Sequence, residues 1–400
     1  MQRRNELDAL RGIFLLLMAG VHLPTVVNGF AREPLGYADA AEGFVFLSAF
    51  LVGSIYTPLM FQRGIAYVRD RLWKRARKLY GYHLLLLLFL FVIVATVATI
   101  TRSIALHNYL LVFFSHPVWA VASSPFFVYQ PPLLDILPMY IMFLLASPLL
   151  LRYASRRGWR AVLVASGLLW LFAQLGGGRA LYELAARAGV PLERAAFGAF
   201  DWYAWQLVWV TGLWLGYSQH RGGGAETLKR WFRHPAVWGT AVATSIFFLL
   251  WRHHVGGLLA NVGTGSPLLD KWRLGPLRLV DCVALGWILT WGLLPVLRWL
   301  RVRVLELLGR NSLQVFCAHI PVCVLGDALA GRHDRPPGPL TQTLLWVLML
   351  GVMLFVARRA DSAASATRAA RDGGGGTAGT LKPTRPAPAG RGPPQRHSAR

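Results

Sequence analysis

Long apolar stretches interrupt the sequence at intervals, and they limit what the chain can fold into more than any other feature. A helix that crosses a bilayer needs about 20 apolar residues, since inside hydrocarbon every backbone N–H and C=O must be bonded within the element. Ten such stretches stand at roughly 10–28, 43–61, 80–101, 133–151, 161–176, 201–219, 236–252, 277–297, 304–325 and 339–357. The fifth and seventh are short. No apolar–polar alternation runs through them, which argues against a β-barrel. With 55% hydrophobic and only 15% charged residues, the chain is too apolar for an ordinary soluble domain of its length. The expectation is an all-α, polytopic membrane bundle of about ten transmembrane helices. Residues 1–359 form this domain, and 360–400, poor in large apolar residues, read as a disordered basic tail.

The net charge of +24 raises the question of nucleic acid, and its distribution answers it. With the N-terminus placed in the cytoplasm and ten spans threaded, the cytoplasmic segments hold 29 Lys/Arg and 7 Asp/Glu, and the outward segments hold 11 of each. This positive-inside bias puts both termini in the cytoplasm. The basic excess is therefore a topology signal and predicts a lipid bilayer, not nucleic acid, as partner. Glu6, Asp8 and Arg11 crowd the start of the first stretch and argue against a cleaved leader. Cys282, Cys317 and Cys323 lie inside predicted spans with no zinc spacing and read as small buried residues. Neither a metal site nor a permanently bound cofactor is expected.

The first span carries charge where charge is costly. Arg11 and His22 are eleven residues apart, so on a helix they share a face and lie roughly 16 Å apart along the axis. Ionisable groups inside a membrane are a functional hypothesis by default. Other candidates follow along the chain. Glu42 opens the second span, either as a solvated rim residue or as a partner that orients His22. Ser48 and its small neighbours suit close helix contact. Arg63 to Lys78 reads as a basic amphipathic helix, lying on anionic lipid or collaring donor phosphates. Asp135 enters the fourth span as a functional carboxylate or a helix N-cap. Trp205 and Gln206 belong to an outer aromatic cluster that is either an interfacial belt or a sugar platform. Span nine carries Arg310 and Asn311 near its inner end and His319 near its outer end. Nine residues put Arg310 and His319 on opposite sides of the helix, so they do not repeat the Arg11–His22 arrangement.

Walker, G-x-S-x-G and H-E-x-x-H sequences are absent. A neutral His at the outer end of a helix suits a general base for a hydroxyl, while a cation at the inner end suits an anionic donor or an ion pair with Asp8. A transporter or flippase for a sugar or organic anion could use the same groups, though no internal symmetry of paired halves is visible. The residues alone leave enzyme and transporter open.

Leu7-Asp8-Ala9-Leu10-Arg11-Gly12, followed by ten residues and His22, resembles the first-helix motif of the acyltransferase-3 superfamily of membrane O-acyltransferases. With Ala41 to Ser48, Asp135 to Tyr140, Trp205 to Val208, and Leu308 to His319, the chain is more closely similar to the OpgC family, which succinylates osmoregulated periplasmic glucans. These segments spread over residues 5–320. The resemblance implies a multi-pass protein of the bacterial inner membrane. It implies cytoplasmic acyl-CoA, with succinyl as the acyl group, as donor, and hydroxyls of a periplasmic or cell-envelope glycan as acceptor. It makes His22 the general base or an essential partner in transfer, and Arg11 the motif arginine that binds donor or holds Asp8. Glu42 or Asp135 would orient His22 or bind sugar, and Arg310 would hold a free carboxylate of the donor. Asp8, Ser48, Trp205, Gln206, Asn311 and His319 complete the expected substrate-binding set. One departure is Ala49, where the superfamily has Gly after Ser48.

Overall fold

The computed structural model describes residues 4–187, 197–220, 234–255, 266–330 and 337–373, and among these every regular element is helical. In chain order the principal helices are α1 (Asn5–His22), α2 (Ala40–Thr101), α3 (Ile136–Arg157), α4 (Arg160–Gln174), α5 (Gly177–Arg187), α6 (Trp202–Ser218), α7 (Pro235–Arg252), α8 (Pro276–Leu300), α9 (Arg303–Arg310), α10 (Ser312–Ala330) and α11 (Pro339–Gly373). All ten apolar stretches fall on these helices. By length and composition five of them, α2, α3, α8, α10 and α11, can each cross a membrane. A sixth crossing arises if α4 and the start of α5, bent by 68° at their junction, form one broken span. Helix α1 carries Glu6, Asp8 and Arg11 and is therefore more polar than these.

Two stretches expected to be separate spans lie on one element. Helix α2 runs through the second span, the basic segment and the third span. Its only non-helical residue is Gly64, at φ 82° and ψ 164°, a conformation that glycine adopts without steric cost. The arm from 65 to 101, at 1.5 Å per residue, is roughly 55 Å long. That exceeds the ~30 Å hydrocarbon core of a bilayer, so the arm carries its basic end out of the apolar layer. Within it Val68, Leu72, Ala76 and Leu79 are buried at helical spacing, which gives the expected amphipathic helix. Trp73, in the same segment, is exposed. Tyr67 serves the surface: its hydroxyl accepts from Arg63 at 3.0 Å and from Arg71 at 2.7 Å. Conversely, the stretch expected as span nine is two elements. The chain leaves the helical conformation at Asn311, between α9 and α10. Helix α11 continues to Gly373, into the stretch read as a tail; 374–400 lie outside the described residues, as do Glu193 and Arg194 of the expected outward loop.

Helix α1 runs through the middle of the bundle and crosses α9 with backbones in contact. A Cβ on Gly12 would meet the Leu305 carbonyl, and one on Gly309 would meet the Asp8 carbonyl. Only glycine allows this approach from both sides. Helices α2 and α6 meet in the same way, with Gly212 against the Phe46 carbonyl and Gly216 against the Phe50 carbonyl. Ala49 faces Gly212 here. The methyl that Ala49 adds is accommodated by a glycine on the partner helix, so the departure at that position leaves the close contact intact.

Candidate active site

Arg11 and His22 both face α10. The Arg11 guanidinium donates to the Ser312 hydroxyl and lies 5.5 Å over the Phe44 ring. Phe44 stacks on Phe316, centroids 6.5 Å apart. Phe316 meets His319 edge-on at 4.9 Å, and the His319 ring lies 6.1 Å from that of His22. A continuous row of side chains from α1, α2 and α10 therefore joins the two ends of the charged helix. Sequence spacing put Arg11 and His22 on one face; the rings that connect them come from elsewhere in the chain.

His319 Nδ1 sits against the Phe316 carbonyl. A carbonyl only accepts, so Nδ1 carries the proton and Nε2 keeps its lone pair. At the other end, Arg11 and Ser312 line a small cavity of about 30 Å³ together with Arg75 and Tyr140. Arg75 donates to the Tyr140 hydroxyl at 3.1 Å. Arg75 belongs to the basic segment, and its approach to Arg11 places two guanidinium groups on one buried cavity.

Glu42 is 3% exposed, so it is not a solvated rim residue. Both its oxygens are engaged away from His22. Arg278 Nε donates to Oε1 at 2.5 Å, and the Asp39 backbone N–H donates to Oε2 at 3.1 Å. With Asp39 accepting from the Ala41 N–H, the latter contact forms a capping box that starts α2. Arg278, 1% exposed, also donates to Glu33 at 2.7 Å and lies 3.8 Å from Asp39. Lys271 pairs with Asp39, and Arg252 with Glu33 at 2.9 Å. Three carboxylates thus face three cations, the balance a buried cluster needs. Burial alone would push the Asp39 carboxyl up. Lys271, the Glu42 hydrogen bond and Arg278 outweigh it and hold Asp39 well below the usual carboxylate range. Asp39, Lys271 and Arg32 are the charges near enough to act on the His22 ring. Sequence reasoning missed Arg278, though an arginine at the start of an apolar stretch is the same signal that drew attention to Asp135.

Other expected site residues are placed elsewhere. The Asp135 carboxylate accepts from the Ala199 N–H at 3.0 Å, tying α3 to the strand of chain before α6 and not capping its own helix. Trp205 is fully buried, with Nε1 donating to the Trp272 carbonyl at 3.1 Å. Gln206 binds Ser166 through both ends of its amide, at 2.7 and 2.8 Å. Neither is presented to a sugar. Ser48 is buried, and its Oγ has no hydrogen-bond partner among the described residues. Asp8 is buried where α1 crosses α9. Arg310 turns to Asp361 of α11 at 3.4 Å, and Asn311 donates to the Leu307 carbonyl at the end of α9.

These helices, with apolar lengths that fit a bilayer and a buried row of charged and aromatic groups between them, define an all-helical protein of membrane type. The sequence matches the family model described as OpgC protein over residues 3–365, and the chain belongs to that family. Membership in this family supports a transferase activity. No curated protein and no solved structure matches the chain.

Proposed function

We propose that the protein is a multi-pass O-acyltransferase of the bacterial inner membrane, with both termini cytoplasmic. It moves an acyl group, succinyl by family, from cytoplasmic acyl-CoA to hydroxyls of a periplasmic or cell-envelope glycan. The observation that carries this reading is the row Arg11–Phe44–Phe316–His319–His22. It sets a cation at the end of α1 expected to face the donor and two imidazoles at the end expected to face the acceptor.

In this reading His22 is the general base. An unprotonated ring nitrogen takes the proton of the acceptor hydroxyl while that oxygen bonds to the thioester carbonyl carbon. The tetrahedral adduct collapses with cleavage of the C–S bond, and the proton on His22 passes to the departing thiolate, releasing coenzyme A as a free thiol. His319 positions His22 by ring contact, with its own tautomer set by Phe316. Arg11 and Arg75 bind anionic groups of the donor. Arg278 fixes Glu42 and Asp39 so that the loop before α2 stays closed against α8, beside His22.

The test is purified protein with acyl-CoA and acceptor glycan, read by coenzyme A release and by mass spectrometry of the glycan. His22→Ala lowers both by at least about 10²-fold at normal protein levels if the reading holds. Undiminished acylation by that variant ends it.

A further inference from the structure

A cleft of about 1070 Å³ opens between the long arm of α2, α10 and α11. Its walls are mostly apolar, with Leu85, Phe89 and Ile93 on α2 and Phe355 on α11. Lys78 and Arg359 stand at one end, next to the amides of Asn311 and Gln314, and no carboxylate is among its described lining residues. From Lys78 to Ile93 the α2 wall is about 22 Å long, the depth of one leaflet with its headgroup region. The end of this wall away from Lys78 is the π-helical turn Phe89–Val94, which widens the helix there.

This cleft is separate from the row of groups that joins Arg11 to His22. On α10 its lining residues are Gln314, Cys317, Ala318 and Pro321, one stripe of the helix, with Asn311 just before it. Ser312, Phe316 and His319, which meet Arg11, Phe44 and His22, lie on the opposite stripe. Helix α10 thus stands between the cleft and the histidines, and a thioester seated in the cleft would not reach them. Its occupant is therefore not the reacting donor. Apolar walls of this depth inside a membrane are filled by something of matching length, because an empty space forfeits the packing of every atom that lines it.

We propose that the cleft is the seat of one anionic glycerophospholipid, its phosphate held by Lys78 and Arg359 and its chains laid along α2 and α10. The charge pattern selects the ligand. Lys78 and Arg359 supply two cations at the end where a headgroup would sit, with Lys78 Nζ held 3.0 Å from the Gln314 amide oxygen. Arg310, the next cation on α9, is already paired with Asp361 and does not add to the site.

The test uses the full chain reconstituted in nanodiscs with equal phosphatidylglycerol and phosphatidylcholine, then released for native mass spectrometry. The expected result is one retained phosphatidylglycerol, favoured roughly tenfold or more over phosphatidylcholine, the preference two basic side chains at a membrane surface supply. Lys78→Gln with Arg359→Gln abolishes the preference, and Lys78→Arg with Arg359→Lys retains it. Both positions are exposed, so the fold survives the changes. Ala318→Trp, which fills the cleft, removes the bound lipid. No retained lipid in the wild type, equal retention of both lipids, or a preference unchanged by the glutamine pair overturns the proposal. Displacement of the lipid by added coenzyme A also overturns it, since that assigns the cleft to the donor. None of these readouts depends on acyl transfer, so the lipid seat and the proposed reaction fail separately.

Discussion

The imidazole rings of His22, the last residue of α1, and His319, in the middle of α10, lie 6.1 Å apart and tilted by 35°, although 297 positions separate them in the chain. Within the proposed reaction they have different parts. His22, half-buried, is open to an acceptor, whereas His319 is buried with its Nδ1 proton committed to Phe316. His22→Ala is therefore expected to lower coenzyme A release by about 10²–10⁴-fold, the range for loss of a general base. His319→Gln, which keeps a hydrogen-bond donor near Phe316, leaves more activity than His319→Ala. Equal loss from the two His319 variants would remove its positioning role. Release assays with matched amounts of folded protein give the comparison.

Arg278 is the central cation of the cluster beside His22. Its removal leaves Glu33, Asp39 and Glu42 clustered and short of their central cation. Arg278→Ala is expected to destabilise the protein by about 3–5 kcal/mol, as breaking a buried ion cluster does. Arg278→Lys recovers only part, because an ammonium lacks the planar fork that reaches three partners. Thermal unfolding in detergent measures both.

The glycines at the α1–α9 crossing make a sharper case. Gly12→Ala places a methyl on the Leu305 carbonyl, and Gly309→Ala places one on the Asp8 carbonyl. Each should cost about 1–3 kcal/mol by overpacking. The double variant should cost less than the sum, since one separation of the helices relieves both clashes. Melting temperatures of the four proteins in the cycle test this.

Asp39 sets a pH dependence of known sign. Its folded pKa lies below the unfolded value of about 3.9, so its contribution to stability is complete above that pH and is lost as pH falls through the folded pKa. Asp39→Asn should therefore melt lower than the wild type by a constant margin from about pH 5 to 8, and the margin should shrink in stronger acid. A margin that grows on acidification would contradict the ion-pair account.

Much of this architecture is legible in the sequence, and what is not has identifiable causes. The apolar stretches mark the helices because a backbone in hydrocarbon has few alternatives. The eleven-residue spacing puts Arg11 and His22 on one face, and both do turn to α10. Partners are harder to read than positions. Glu42 looked free to orient His22 because its cation, Arg278, lies 236 residues later. Trp205 and Gln206 looked like a sugar platform, but Trp272 and Ser166 take up their polar groups once the helices meet. The second and third apolar stretches are joined through a bend at Gly64 into one helix, whereas Asn311 interrupts an apolar stretch that gave no sign of ending.

The stacked rings of Phe44 and Phe316 also have an energetic consequence for the cell that houses the protein. A cation at one end and imidazoles at the other would make a good start for a proton wire. Two aromatic rings in the middle of that line interrupt a chain of hydrogen-bonded water. In the proposed reaction, a membrane that stores its energy as a proton gradient would then hold an enzyme working between its two faces without a short circuit through it.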